Sequence, residues 1–364
     1  MPGRLAVSVL AAAAVFPACL VYLLISFPYP PTPPAVHASL STVSQAWSVY
    51  PEDFYPGGAY VSFPHGRVRY WLMGPENGNK VVVLIHGLSI PSIVWKNFAP
   101  SLASYGYRVL LYDLYGRGYS DAPQVTYDVS LYTTQLALLM QHVHWDNAHI
   151  VGLSMGGGIA AAFATQFPQL VNGKVSLIAS AGVIEDTDIS RTAKIMSSPL
   201  IQSVSSLPPF QYYMRRLANS SSLSQTTIDP IQEIVRLQSA HLPYFNAAVA
   251  SSLRDGPVRG LEYSFTALSN SSIQVLLIHG TADKTVPYKY ASKILTLVPR
   301  ACLLTIDGAG HDIIVTHAMQ VSDALVQFLS TKGHMHTLAH AHTSQSQCQP
   351  PPPIRNDGGQ HVFV

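Results

Sequence analysis

Short apolar runs recur along the middle of the chain, at residues 68–73, 81–85, 107–112, 149–151, 175–179, 274–278 and 302–306. After Lys80 comes Val81-Val82-Val83-Leu84-Ile85, with no polar position in it. A strand with one wet face alternates, whereas an unbroken run marks a strand covered on both faces, as in a parallel sheet between helices. Stretches with helical spacing lie between these runs, at 92–105, 129–144, 155–167, 288–298 and 313–329. Strands and helices in alternation require crossover connections. They predict an α/β fold, a mostly parallel central sheet with helices on both faces. On such sheets functional groups gather beyond the carboxyl ends of the strands.

The pattern changes in four places. Between 184 and 269 the strand rhythm stops and the chain turns helical and amphipathic, with Met196, Phe210, Tyr212, Tyr213, Met214, Tyr244 and Phe245. This predicts a helical cap inserted between a first core part at 61–183 and a second at 270–330. The Met and aromatic residues either pack the cap down or line a lipid-accommodating pocket. At the other end of the chain, residues 5–27 are apolar and uncharged, long enough to cross a bilayer as a helix. Pro17 would kink that helix, which membrane spans tolerate. An uncleaved anchor is the favoured reading over a cleaved signal peptide, whose apolar core is shorter. Arg4 before the span and no Lys or Arg until Arg67 place the N-terminus in the cytosol and the rest outside it. Expected locations are therefore a single-pass membrane protein with a lumenal or extracellular domain or, alternatively, secretion. The sequons Asn219-Ser220-Ser221 and Asn270-Ser271-Ser272 suit either. Residues 28–60 form a proline-rich spacer and irregular lead-in. Residues 331–364, rich in His, Gln and Pro, lose all periodicity and are expected to be disordered.

Composition narrows the function. The 364 residues are 48% hydrophobic and 11% charged, ample for one large α/β domain with an insertion. A net charge of +2 without a basic stripe excludes a nucleic-acid partner. Cys19, Cys302 and Cys348 set out no disulfide framework. No metal-ligand spacing stands out apart from the tail histidines His334, His336, His340 and His342, and no metal is expected at the active site.

The chemistry concentrates at strand ends. After the strand at 149–151 comes Gly152-Leu153-Ser154-Met155-Gly156, then an alanine-rich helix. A G-x-S-x-G pattern between strand and helix places the serine on a tight turn with its hydroxyl in the open. Glycines on both sides let strand and helix approach. A serine hydroxyl is a weak nucleophile and needs a base, which in turn needs an orienting acid. Asp283 follows the strand ending His279-Gly280, and His311 follows the strand at 302–306 through Asp307-Gly308-Ala309-Gly310. These give the order Ser, Asp, His, with Ser154 as nucleophile, Asp283 as orienting acid and His311 as base then acid. Asp307 and Asp312 are rival acids beside the histidine. Backbone N–H groups of Leu88 and Met155 are the expected oxyanion donors, with His86 and Gly87 supporting the Leu88 loop.

These residues resemble the α/β-hydrolase fold superfamily, in its lipase/esterase-like serine-hydrolase branch with a helical cap. The resemblance covers roughly residues 62–330. His86-Gly87 with Trp95 looks like that family's oxyanion loop, and Asp113-Leu114-Tyr115-Gly116-Arg117-Gly118-Tyr119-Ser120 looks like its D-x-x-G-x-G-x-S loop. Gly280-Thr281-Ala282-Asp283 and Gly308-Ala309-Gly310-His311 look like its acid and histidine loops. The Asp113–Ser120 loop is expected to be structural, Asp113 accepting loop N–H groups and Arg117 held by a carboxylate. Fold-level likeness does not fix chemistry. The family spans esters, thioesters, amides, epoxides, haloalkanes and C–C bonds; serine at position 154 disfavours the epoxide and haloalkane branches, which use aspartate there. The expectation is a membrane-anchored serine hydrolase acting without cofactor on a small-molecule carboxylic ester, hydrophobic or lipid-derived. The alternatives are a C–C bond hydrolase, a proline-type aminopeptidase holding the substrate amine with a cap carboxylate, or a non-catalytic ligand-binding homologue.

Overall fold

The structure, a computed structural model, describes residues 15–17, 21, 36–37, 39–78, 80–198, 200–201, 212, 230–242, 244–331 and 346–347. The chain divides into two units, Met1–Ala35 and Val36–Val364. Of the expected anchor at 5–27, most lies outside the described residues; Val15, Phe16 and Val21 are described and exposed. Among the described residues no helix is long and apolar enough to cross a membrane.

All strands belong to the second unit. They are β1 (Val36–His37), β2 (Gly58–Phe63), β3 (Gly66–Met73), β4 (Val81–Ile85), β5 (Arg108–Tyr112), β6 (Ala122–Pro123), β7 (Ala148–Leu153), β8 (Val171–Ile178), β9 (Gln274–Gly280), β10 (Cys302–Ile306) and β11 (Ser346–Gln347). The sheet order is β11-β10-β9-β8-β7-β4-β5-β3-β2, with β1 and β6 pairing separately. Strands from β10 across to β5 are parallel. β3 and β2 close one edge antiparallel, and β11 pairs antiparallel with β10 at the other. The helices are α1 (Phe98–Ser104), α2 (Val129–His142), α3 (Met155–Gln166), α4 (Arg191–Met196), α5 (Pro230–His241), α6 (Phe245–Asp255), α7 (Glu262–Ser269), α8 (Lys289–Leu297), α9 (Ile313–Thr316) and α10 (Ala318–Ser330).

The apolar runs are unbroken because successive residues of one strand serve two cores. Val83 and Ile85 of β4, with Leu110 of β5 and Ile150 of β7, join the cluster that takes in α2, α3 and α8. Val82 and Leu84, with Val109, Leu111 and Val151, join the opposite cluster under α1 and α10. Side chains alternate across a strand, so both sets are buried only when helices cover both faces. α7 belongs with the first cluster through Phe265 and Leu268 and packs on α3.

The elements differ from expectation where local chemistry interrupts the period. Residues 92–105 are not one helix. Ser92–Trp95 forms a 3₁₀ turn and α1 begins at Phe98, because a helix running through Pro100 would drive its ring into the carbonyl four residues back. Residues 313–329 break at His317, between α9 and α10. β2 falls in the stretch read as lead-in and as the start of the core. It is an edge strand, exposed or half-buried along its length, so it lacks the apolar run that marks the others. Of the tail, only Thr331 and the two residues of β11 are described.

Two further features concern strands of the central sheet. The Lys174 ammonium on β8 donates to the carbonyls of Phe328 (2.7 Å), Leu329 (3.1 Å) and Thr331 (2.6 Å), at the C-terminal end of α10. A cation there satisfies orphan carbonyls and meets the negative end of the helix dipole. Cys302, at the start of β10, is disulfide-bonded, although the cysteine count suggested no framework; Cys19 and Cys348 lie outside the described residues.

Candidate active site

β7 runs into α3 through a single residue, Ser154, at φ 55° and ψ −119°. Few residues other than glycine hold such a backbone. Three hydrogen bonds fix it here. Its N–H donates to the Ile178 carbonyl at 2.9 Å, and its own carbonyl accepts from Gly157 (2.9 Å) and Ala181 (3.0 Å). The flanking glycines are required by close approach: a Cβ on Gly152 would lie 2.1 Å from the Gly156 oxygen, and one on Gly156 would lie 2.3 Å from that of Ile85.

Ser154 Oγ stands 3.0 Å from His311 Nε2. His311 Nδ1 stands 2.8 Å from Asp283 Oδ2. Three residues far apart in sequence thus form one hydrogen-bonded chain across the ends of β7, β9 and β10. The acid and histidine loops are tied together by backbone bonds, Thr281 N–H to Ile306 O at 3.1 Å and Ala282 N–H to Ala309 O at 3.0 Å. The rival acids do not take part: Asp307 accepts the Thr281 hydroxyl at 2.8 Å, and Asp312 precedes α9. The Asp283 carboxylate is inaccessible to solvent while the His311 ring keeps 26% of its surface. Burial pushes the Asp283 carboxyl up, but hydrogen bonds from His311 and from the Val286 and Thr285 N–H groups outweigh it. The group titrates below the usual carboxylate range. His279, not singled out from the sequence, lies 3.6 Å from the same Asp283 oxygen and donates to the Val286 carbonyl at 2.8 Å. Burial lowers its basicity, which keeps it neutral.

Above the serine, Gly87 lies so close that a Cβ there would be 3.4 Å from Ser154 Cβ. Leu88 and Met155 both line the cavity around Ser154 and His311, and the Met155 N–H, at the first position of α3, has no carbonyl of its own helix to bond. His86 is fully buried beneath the loop. Its Nε2 accepts the Leu114 N–H at 2.9 Å, so its proton is on Nδ1, which donates to the Gly87 carbonyl at 2.9 Å. Burial pushes it down to about 3, with the Arg117 charge adding to the effect.

The D-x-x-G-x-G-x-S loop wraps around a buried acid. Asp113 accepts from Ser92 N–H (2.8 Å), Tyr119 N–H (2.9 Å) and the Tyr50 hydroxyl (3.2 Å). Arg117 departs from expectation. Among the described residues no carboxylate holds it: its acceptors are the carbonyls of Leu88 and Tyr115 and the hydroxyls of Tyr132 and Ser252.

The cavity over Ser154 measures about 680 Å³. Its wall is mainly aliphatic, with Leu88, Ile90, Ile184, Ile231, Leu253 and Val258. Of the Met and aromatic residues expected either to pack the cap down or to line a pocket, none that is described lines this cavity. Phe245 is buried in the core under the cap, Met196 and Tyr212 are exposed, and Phe210, Tyr213 and Met214 lie outside the described residues. Among the described cap acids, every candidate is paired with a base. Glu185 and Glu262 meet Lys293, Asp186 meets Arg259, Asp188 meets Lys289, Glu233 meets Arg236 and Asp255 meets Arg254. Asp229 lies outside the described residues. No group of three or more metal-ligating side chains occurs among the described residues.

A family model described as the alpha/beta hydrolase fold matches residues 80–318. The chain belongs to the α/β-hydrolase family. Its relatives include an uncharacterised protein of Mycobacterium tuberculosis, 27% identical over 263 residues that cover 69% of this chain and 75% of that protein. Another is the 2-hydroxymuconate semialdehyde hydrolase of a Pseudomonas species, 26% identical, with 68% of this chain and 86% of that enzyme covered. Among solved structures, a membrane phospholipase A described as a bacterial virulence factor superposes with a TM-score of 0.60. It is 22% identical and covers 90% of this chain and 97% of its own, a likeness of fold. This α/β-hydrolase therefore keeps the expected sheet with a hydrogen-bonded Ser–His–Asp chain at its carboxyl edge. The sequence reading missed Gln238 and Ser252, two polar residues on the buried faces of α5 and α6. A glutamine on the apolar stripe of an amphipathic helix, next to Leu237, was the available signal.

Proposed function

We propose that this α/β-hydrolase is a serine hydrolase that cleaves carboxylic esters with a hydrophobic part, through an acyl-serine intermediate. The observation that carries the reading is the continuous Ser154–His311–Asp283 hydrogen-bonded chain opening into an aliphatic cavity. As Ser154 Oγ bonds to the ester carbonyl carbon, its proton passes to His311 Nε2. Asp283 holds the imidazole by Nδ1 and stabilises the imidazolium. The carbonyl oxygen, now an oxyanion, takes hydrogen bonds from the Leu88 and Met155 N–H groups. Collapse expels the alcohol, which receives the proton from His311. Water then repeats the sequence on the acyl-serine, releasing acid and free Ser154. The reading needs no cofactor.

Relatives named as hydrolases of 2-hydroxymuconate semialdehyde and 2-hydroxy-6-oxononadienedioate favour C–C bond hydrolysis as a second reading. The second of those names is that of a dianion, which asks for cations in the binding cavity. Among the described lining residues Lys284 is the sole Lys or Arg, which favours a neutral ester. Amine capture by a cap carboxylate is disfavoured because the described candidates are already ion-paired. For residues 5–27 we retain the membrane anchor, with the catalytic domain outside the cytosol, on the strength of their uncharged apolar run.

A fluorophosphonate probe should label wild type, and Ser154→Ala should abolish labelling and lower ester turnover by roughly 10⁴–10⁶-fold. Esters of graded acyl length should show kcat/KM rising from acetate into medium chains. Turnover of dienoate substrates with none for esters would overturn the ester reading in favour of the second one, and labelling that survives Ser154→Ala would remove Ser154 as nucleophile.

A further inference from the structure

Arg117 is fully buried and permanently charged, and among the described residues all of its hydrogen-bond acceptors are neutral. Its Nε donates to the Leu88 carbonyl at 2.8 Å. Its Nη1 donates to the Tyr115 carbonyl (3.0 Å) and the Tyr132 hydroxyl (2.6 Å), and its Nη2 to Ser252 Oγ (2.7 Å). Ser252 lies on cap helix α6. A second bridge runs beside the first. Gln238 of cap helix α5 accepts the Gly118 N–H at 2.7 Å and donates to the Ser89 carbonyl at 3.1 Å. Gln238 and Ser252 are also fully buried. The oxyanion loop is thus gripped at two consecutive carbonyls, those of Leu88 and Ser89, and each grip leads to a different cap helix.

A buried cation is expected to be paired. Here the missing counter-charge has a natural place: the oxyanion that forms against the N–H of Leu88, the very residue whose carbonyl Arg117 holds. Resting on the hydrolase reading above, we infer that Arg117, Gln238 and Ser252 are positioning residues that seat the oxyanion loop from the cap. Arg117 also supplies positive potential that favours the tetrahedral state over the neutral ester. Such an arrangement acts on the transition state and not on ground-state binding. It makes alignment of the Leu88 donor depend on the cap being seated.

The test compares wild type with Ser252→Ala, Ser252→Thr, Gln238→Leu and Arg117→Lys, each shown to be folded by circular dichroism. The substrate is a medium-chain p-nitrophenyl ester and the inhibitor an alkyl trifluoromethyl ketone, whose hemiketal adduct mimics the oxyanion. Displacing one donor is a fraction of losing it, and a full loss costs about 10²–10³-fold. Ser252→Ala and Gln238→Leu should therefore lower kcat about tenfold and Arg117→Lys about 100-fold. KM should stay within about threefold, and the inhibitor constant should rise in step with the loss in kcat/KM. Ser252→Thr, which keeps the hydroxyl, should restore kcat to near wild type. An active wild type whose folded variants keep full kcat, or lose rate with no change in the inhibitor constant, overturns the positioning role alone. A wild type inert to both ester and fluorophosphonate overturns the hydrolase reading and this inference with it.

Discussion

His86 is a titratable ring that the fold keeps neutral. Both nitrogens are committed, one to the Leu114 N–H and one to the Gly87 carbonyl, and burial pushes it down to about 3. Its ordinary value in an unfolded chain is about 6.5. Between those values the unfolded chain binds the extra proton, so stability is present above about pH 6.5 and falls as the solution is acidified, by about 1.4 kcal/mol per unit. His86→Gln should cost stability at pH 7, yet its deficit against wild type should shrink by about 2 kcal/mol at pH 5. Urea unfolding at the two pH values measures this, and a deficit that stays constant would mean that His86 is not buried neutral. The residues of the Ser154–His311–Asp283 hydrogen-bonded chain were legible for a simple reason: each follows a buried strand within a few residues, at the edge where this fold collects its chemistry. Arg117 was legible as a position but not in its bonding. A carboxylate partner is the ordinary expectation for a buried guanidinium, and nothing local announces that Tyr132 and Ser252 supply hydroxyls instead.

At the scale of elements, the strands read clearly because both faces are buried, and β2 was missed because, exposed or half-buried at the edge, its apolar residues are interrupted by Gly58 and Ser62. Helix limits were less legible at 92–105 and 313–329, where Pro100 and His317 decide and apolar spacing does not. The Lys174 brace is of the same kind, a tertiary contact invisible to periodicity. Lys174 on β8 meets the last carbonyls of α10, the helix that packs behind the histidine loop. Hydrogen bonds to a charged group contribute about 1.5–3 kcal/mol, and part of that is spent on desolvating the ammonium. Lys174→Met should therefore cost about 1–2 kcal/mol in chemical denaturation and leave the ester kcat within about twofold, since α10 holds none of the reacting groups. A loss of kcat out of proportion to stability would show that the brace also sets the histidine.

Across the whole molecule, the turn between β7 and α3 joins the two cores, Leu153 entering one and Met155 the other, and Ser154 between them holds a backbone conformation suited to glycine. Strain of this kind typically costs about 1–3 kcal/mol. Ser154→Ala keeps the Cβ and the strain; Ser154→Gly relieves it. The glycine variant should accordingly melt several degrees above the alanine variant, and above wild type, while having no hydroxyl to offer. Calorimetry on the three proteins would read this directly, and equal melting temperatures for the two variants would mean that the turn is unstrained. Robustness and reactivity are then in opposition at a single position. A selection that screened only for resistance to heat would be drawn toward discarding the proposed nucleophile.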